Sequence, residues 1–178
     1  AHLIELYDTT LRDGTQAENF NLSVEDKIRI TLALDDLGID FIEGGWPGSN
    51  PVSVEYFDRM QNIELKHAKL AAFGSTRHFR NRPEKDPNLL ALLKAKTPAI
   101  TIFGKSWDIH VRDALHIELD DNLLIIQDTL AFLRPFPVGS RRTVGLGRRR
   151  ILGPSATVII RHPLSVGLGR RRILGRFG

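Results

Sequence analysis

Tyr7-Asp-Thr-Thr-Leu-Arg-Asp-Gly-Thr-Gln16 sets a strand end, an Arg-Asp pair and a glycine turn inside ten residues. Asp8, Arg12, Asp13 and Gln16 all follow the short alternating run Leu3 to Tyr7, which reads as a strand. In βα-barrels the functional side chains collect where strands pass into the following loops. An aspartate can give a divalent cation one hard oxygen ligand. A neighbouring arginine, always charged, can polarise a carbonyl and stabilise an alkoxide formed from it. The layout suits a metal-assisted carbonyl reaction. The plainer alternatives are a loop salt bridge for Arg12 and Asp13, a backbone cap for Asp8 and simple exposure for Gln16.

Outward from this stretch, Ser23 with Asp26 three residues later predicts a capping box opening an amphipathic helix to Leu37, closed by Gly38. Ile39 to Glu43 is a short apolar run ending at Gly44-Gly45. The turn-rich Pro47-Gly-Ser-Asn-Pro51 follows, then a helix from Val52 to about Gln61. Lys69 to Phe73 predicts a third strand and Ala99 to Phe103 a fourth. Between them Asp86-Pro87 supplies the N-cap and first position of a helix over Asn88 to Ala95. Leu119, Leu123, Ile126, Leu130 and Leu133 recur at helical spacing and predict one apolar stripe down a fourth helix. Strand and helix thus alternate four times at intervals of roughly 30 residues, the pattern of parallel βα units. The fold class is α/β: about four units of a (β/α)8 TIM barrel. A small doubly wound sheet is the alternative and needs a fifth strand, for which Ala156 to Ile160 is the candidate.

The other strand ends offer Glu43 with Trp46, then Ser75, Thr76 and Arg77, then Lys105, Ser106, Asp108 and His110. Glu43 could simply accept a hydrogen bond from a neighbouring loop, and His110 could be packed or solvated at a helix start. Gly44, Gly45 and Gly48 provide a tight turn, and no glycine loop has the context of a phosphate-binding fingerprint.

Composition divides the chain. Residues 1–134 carry 15 Lys+Arg against 21 Asp+Glu, a net of −6, whereas residues 135–178 carry ten arginines and no acid. The overall +4 therefore reports the tail alone. Within it, Val144 to Gly153 recurs letter for letter as Val166 to Gly175. Two copies cannot bury a solenoid core, so 135–178 reads as a basic low-complexity tail, disordered or out of frame. A shifted reading frame over GC-rich DNA, a native basic tail or an assembly artefact would each give this composition. A native tail would make Arg148 to Arg150 and Arg170 to Arg172 candidates for nucleic acid or another anionic surface, although Phe136 and Phe177 give base stacking little to use. The absence of cysteine excludes disulfides, a thiol nucleophile and cysteine metal sites. With no apolar run near membrane length and no signal-peptide pattern, a cytoplasmic protein without membrane partners is the expectation.

Asp8-Thr-Thr-Leu-Arg-Asp-Gly-Thr-Gln16 resembles the signature of the isopropylmalate, homocitrate and citramalate synthase family, metal-dependent TIM barrels that also include hydroxymethylglutaryl-CoA lyase. Phe41-Ile-Glu-Gly-Gly-Trp-Pro-Gly-Ser-Asn-Pro51, Leu65-Lys-His-Ala-Lys-Leu-Ala-Ala-Phe-Gly-Ser-Thr-Arg77 and Thr101-Ile-Phe-Gly-Lys-Ser-Trp-Asp-Ile-His-Val111 resemble its citramalate synthase branch, and the similarity ends near Arg134. The resemblance implies a homodimeric acyltransferase of branched-chain amino-acid (isoleucine) biosynthesis. It would condense acetyl-CoA with pyruvate around a divalent metal: Mg, Mn or Zn. It implies Asp13 as a metal ligand, Arg12 as the carbonyl-polarising residue, Gln16 as a nearby substrate contact and Glu43 as an acid near the keto-acid pocket. Ser106 and His110 would contact substrate from the fourth strand's loop. The family's remaining metal ligands include a His-x-His pair, and the six histidines here (His2, His67, His78, His110, His116 and His162) contain none. The expectation is therefore a barrel half that is inactive as this chain, with an open sheet edge and an apolar helix-free side that favour poor solubility or self-association.

Overall fold

The computed structural model describes residues 4–17, 21–134 and 155–161, the last as a backbone strand. Its elements run β1 (Tyr7–Asp8), α1 (Val24–Leu37), β2 (Phe41–Gly45), α2 (Pro51–Met60), β3 (Lys69–Ser75), α3 (Pro87–Lys94), β4 (Ala99–Lys105), α4 (Leu119–Leu133) and β5 (Ser155–Arg161). Strands β1 to β4 are parallel and lie side by side in chain order, Tyr7 opposite Phe41 and Ala71 opposite Ala99. This sequential order is a partial TIM barrel; a doubly wound sheet would reverse direction at a switch point.

The helices form where local chemistry directs them. Ser23 and Asp26 make the reciprocal capping box of α1, and Gly38 ends that helix in the left-handed conformation at φ 87°. Asn50 and Asp86 cap α2 and α3, each followed by proline at the first helical position. Alternation then sorts the strands into two faces. Ile42, Leu70, Ala72, Ile100 and Ile102 join Tyr56, Phe57, Leu89, Leu92 and Leu133 in the main core beneath the helices. The opposite face carries Tyr7, Phe41, Ala71 and Ala99 as a smaller cluster. Glu43 and Thr101 continue it at the same strand parity, and both are buried. No described helix is long and apolar enough to cross a membrane.

Two expectations need correction. The stripe on α4 is buried only in its second half: Leu119 and Leu123 are exposed, whereas Leu130 packs against the core and Leu133 is fully buried, and Asn122, Ile125 and Thr129 rather than the leucines face inward along the first turns. Directed polar bonds set this roll. Asn122 Nδ2 donates to the Lys105 carbonyl at 2.9 Å, and Thr129 Oγ1 accepts the Arg77 N–H at 3.0 Å. Second, the β4 edge is not open. β5 pairs with it antiparallel along its whole length, Ile102 opposite Val158, so the strand-like run in the basic tail fills backbone hydrogen-bonding groups that a parallel neighbour would otherwise take. The arginine clusters 148–150 and 170–172 lie outside the described residues.

Candidate active site

The loop after β1 is built to present Arg12. Its Leu11 side chain is fully buried in the main core, and the Arg12, Asp13 and Gly14 N–H groups all turn back to the Thr9 carbonyl. Asp8 accepts from Thr10 N–H and hydroxyl at 3.0 and 2.9 Å, so it caps the loop. With Leu11 fixed inward, Arg12 emerges at the end of the sheet. Its Nε donates to Glu43 Oε1 at 2.5 Å and its Nη1 to Asp13 Oδ1 at 2.7 Å. The guanidinium carbon sits 4.3 Å from the centre of the Phe73 ring, a cation–π contact that holds the plane of the group. Nη2 has no acceptor among the described residues and is the edge left for a ligand.

Glu43 is 1% exposed, and burying a carboxylate is costly unless it is paired and hydrogen-bonded. Its second oxygen accepts the Tyr7 hydroxyl at 2.5 Å, and that hydroxyl also meets the Thr101 hydroxyl. Burial, then the bond to Glu43, pushes the Tyr7 phenol well above its ordinary value, so it stays a donor. Three strands thus supply one chain, Thr101–Tyr7–Glu43–Arg12–Asp13. Gly44 is what lets β2 deliver Glu43 there: the strand bulges between Glu43 and Gly45, and a Cβ on Gly44 would come within 2.7 Å of Tyr56 on α2.

Beside this network opens a cleft of about 800 Å³, lined among others by Leu11, Arg12, Gln16, Lys27, Trp46 and Ser53. Trp46 is fixed at its rim, Nε1 donating to Asn88 Oδ1 at 2.7 Å while Asn88 Nδ2 donates to the Ser75 carbonyl. Among the lining side chains the two charged ones are Arg12 and Lys27, both cationic. Lys27 is buried, and burial draws its ammonium down to about 8.

The structure therefore brings Arg12, Asp13 and Glu43 into one bonded group and sets Gln16 in the adjoining cleft. Ser106 and His110 do not line that cleft. Ser106 is exposed just past β4, and His110 opens a π-helical turn with its ring 4.8 Å from Trp107. Arg77 is structural, pairing through Nη2 with Asp128 at 2.7 Å. Sequence reasoning missed Tyr7, Thr101, Phe73 and Lys27. Lys27 did leave a signal, since Val24, Lys27, Ile28, Thr31 and Asp35 share one helical face and all are buried.

A divalent ion does not fit these residues alone. Asp13 is exposed, with a 59% accessible side chain and one oxygen bonded to Arg12; both Glu43 oxygens are occupied. Among the described residues no group of three His, Cys, Asp or Glu converges to hold a metal.

Comparison with known proteins gives this geometry a context. The HMGL-like family profile matches residues 3–137. An (R)-citramalate synthase of Geobacter sulfurreducens is 55% identical over 74% of this chain, and one of Aquifex aeolicus 50% identical over 76%. A 2-isopropylmalate synthase of Listeria monocytogenes is 34% identical over 74%. These alignments cover 25%, 26% and 25% of the relatives, so the chain spans about a quarter of their length.

Proposed function

The chain belongs to the HMGL-like family, and we propose that it carries the amino-terminal quarter of a citramalate synthase, which joins acetyl-CoA to pyruvate in branched-chain amino-acid biosynthesis. The observation that carries this reading is the free Nη2 edge of Arg12, with Nε and Nη1 already committed to Glu43 and Asp13. Higher identity to the citramalate synthases than to the 2-isopropylmalate synthase supports pyruvate over a bulkier branched keto acid.

In this reading Arg12 donates to the keto oxygen of pyruvate. Once a base supplied by the rest of the enzyme has taken a methyl proton from acetyl-CoA, the enolate carbon bonds to the keto carbon, the carbonyl π pair moves onto that oxygen, and a fixed guanidinium stabilises the new charge without reorganising. Glu43 acts as a positioning residue: it accepts from Nε and, through Tyr7 and Thr101, ties Arg12 to three strands. Asp13 would be one ligand of a divalent metal whose other ligands this chain's described residues do not furnish. Hydrolysis of the thioester then releases CoA.

The test is thiol release from acetyl-CoA. The 178-residue chain alone is expected to show none. A chimera in which residues 3–134 replace the matching quarter of the Geobacter sulfurreducens relative is expected to release CoA with pyruvate. A soluble chimera that ignores pyruvate and turns over a branched keto acid would overturn the citramalate assignment, and turnover by the chain alone would overturn the need for further metal ligands.

A further inference from the structure

The Arg12 end of the cleft has its charges answered, but the Lys27 end does not. Lys27 is 5% exposed on α1 and its ammonium lies 4.7 Å over the Tyr56 ring, without an anionic or hydrogen-bonding partner among the described residues. A cation so placed is costly unless something compensates it. Gly45 and Ser53 stand around it. A Cβ on Gly45 would fall 3.0 Å from Lys27 Nζ and 3.7 Å from Ser53 Oγ, and Gly45 at φ +135° occupies backbone space that other residues rarely adopt. The ammonium and the Ser53 hydroxyl therefore flank one small space inside the cleft.

The amino-terminal end of α2 faces the same space. Asn50 caps the helix by accepting from Ser53 N–H at 2.8 Å, and Pro51 has no N–H, which leaves the Val52 N–H without an acceptor among the described residues. Ser49 Oγ gives its one proton to the Trp46 carbonyl at 2.8 Å and lies 3.5 Å from Ser53 Oγ, so the Ser53 hydroxyl has no short hydrogen bond among the described residues. Ser49, Asn50, Val52 and Ser53 all line the cleft with Lys27. A helix start carries partial positive charge and unpaired N–H groups. Here a buried ammonium, without an anionic partner among the described residues, lines the same cleft, with the Gly45 Cβ position between it and Ser53 Oγ.

We propose that Lys27, Ser53 and the first turn of α2 form a pocket for an oxyanion of the ligand, a carboxylate or a phosphate. The ammonium supplies charge, and the Ser53 hydroxyl and Val52 N–H supply direction. The citramalate synthase reading enters only in the choice of probes: the carboxylate of pyruvate and, for the phosphates of a CoA-type thioester, inorganic phosphate.

The experiment follows the Lys27 side-chain signal of the full chain, labelled with 13C-lysine, by NMR through a pH titration. Lys27→Met assigns the signal by its disappearance; if that variant does not fold, Lys27→Arg, which also lacks the labelled lysine, assigns it, and the titration itself is read on the parent chain. The midpoint is expected to rise by about one pH unit with pyruvate or with phosphate, equivalent to about tenfold tighter anion binding when Lys27 is charged. Chloride at equal ionic strength is expected to leave it in place. Movement with pyruvate alone assigns a carboxylate, and movement with phosphate alone a phosphate. A midpoint unmoved by either anion, or moved equally by chloride, overturns the pocket. Thiol release by the chimera reads the synthase assignment separately, so either claim can fail without the other.

Discussion

Glu43 holds Arg12 through Nε at 2.5 Å from a position only 1% exposed, while the Arg12 guanidinium faces the cleft. A buried carboxylate is thereby spent on orienting a cation rather than on meeting a ligand itself. Glu43→Gln removes the charge from this bond and should lower stability by about 3 kcal/mol, as expected for breaking a largely buried ion pair. Tyr7→Phe removes one hydrogen bond to the same carboxylate and should cost about 1 kcal/mol. Urea denaturation checks both; equal stability of Glu43→Gln and the parent would contradict the pairing.

Lys27 predicts an alkaline signature. Burial lowers its folded value to about 8 from the ordinary 10.5, so between these values the unfolded chain binds more protons and stability rises with pH. Above about 10 the trend should reverse, because Tyr56 and Tyr7, both pushed up chiefly by burial, then lose protons more readily when unfolded. Thermal melts across this range should show the rise in the parent chain and not in Lys27→Met. A flat profile in the parent would contradict the burial of the ammonium.

Asp35 anchors the entry to β3. Burial alone would raise its pKa, but N–H donors from Ala68, Lys66 and His67 outweigh that and hold it below the ordinary value of 3.8. Its contribution is therefore complete above that value and is lost as pH falls through the lower folded one. Asp35→Ala leaves three N–H groups without their acceptor and should cost about 3 kcal/mol at pH 7, less in strong acid. Chemical denaturation at the two pH values measures the difference, and an equal cost at both would exclude the carboxylate as the anchor.

The roll of α4 separates two substitutions. Thr129→Val removes the acceptor of the Arg77 N–H and should cost about 1–2 kcal/mol. Leu123→Ala, at a side chain 62% exposed, should stay within about 0.5 kcal/mol. The opposite ranking in urea would place Leu123, rather than Thr129, on the buried face.

Much of the fold was legible because local and global signals agreed. Ser23, Asp26 and Gly38 bound α1 where expected, and strand-helix alternation led to the parallel order. The α4 stripe held at Leu130 and Leu133 and misled at Leu119 and Leu123, because leucine spacing registers hydrophobicity but not the directed bonds of Asn122 and Thr129. Ala156 to Ile160 was legible as a candidate fifth strand, but its antiparallel pairing with β4 was not. In the site, Arg12, Asp13 and Glu43 stood out as polar residues at strand ends. Tyr7 and Thr101 lay inside strands, where they read as β-formers, and their hydroxyls acquire a role only once three strands are side by side.

The most direct test of the central claim, that Arg12 is the carbonyl-facing cation, is the rate of pyruvate-dependent CoA release by the chimera with Arg12→Lys. Lysine keeps the charge but cannot serve Glu43, Asp13 and substrate from one planar group. The account predicts a fall in kcat of about a hundredfold, as for loss of one oxyanion-stabilising donor, with the fold retained by circular dichroism. An Arg12→Lys chimera that turns over pyruvate at the parent rate would contradict it.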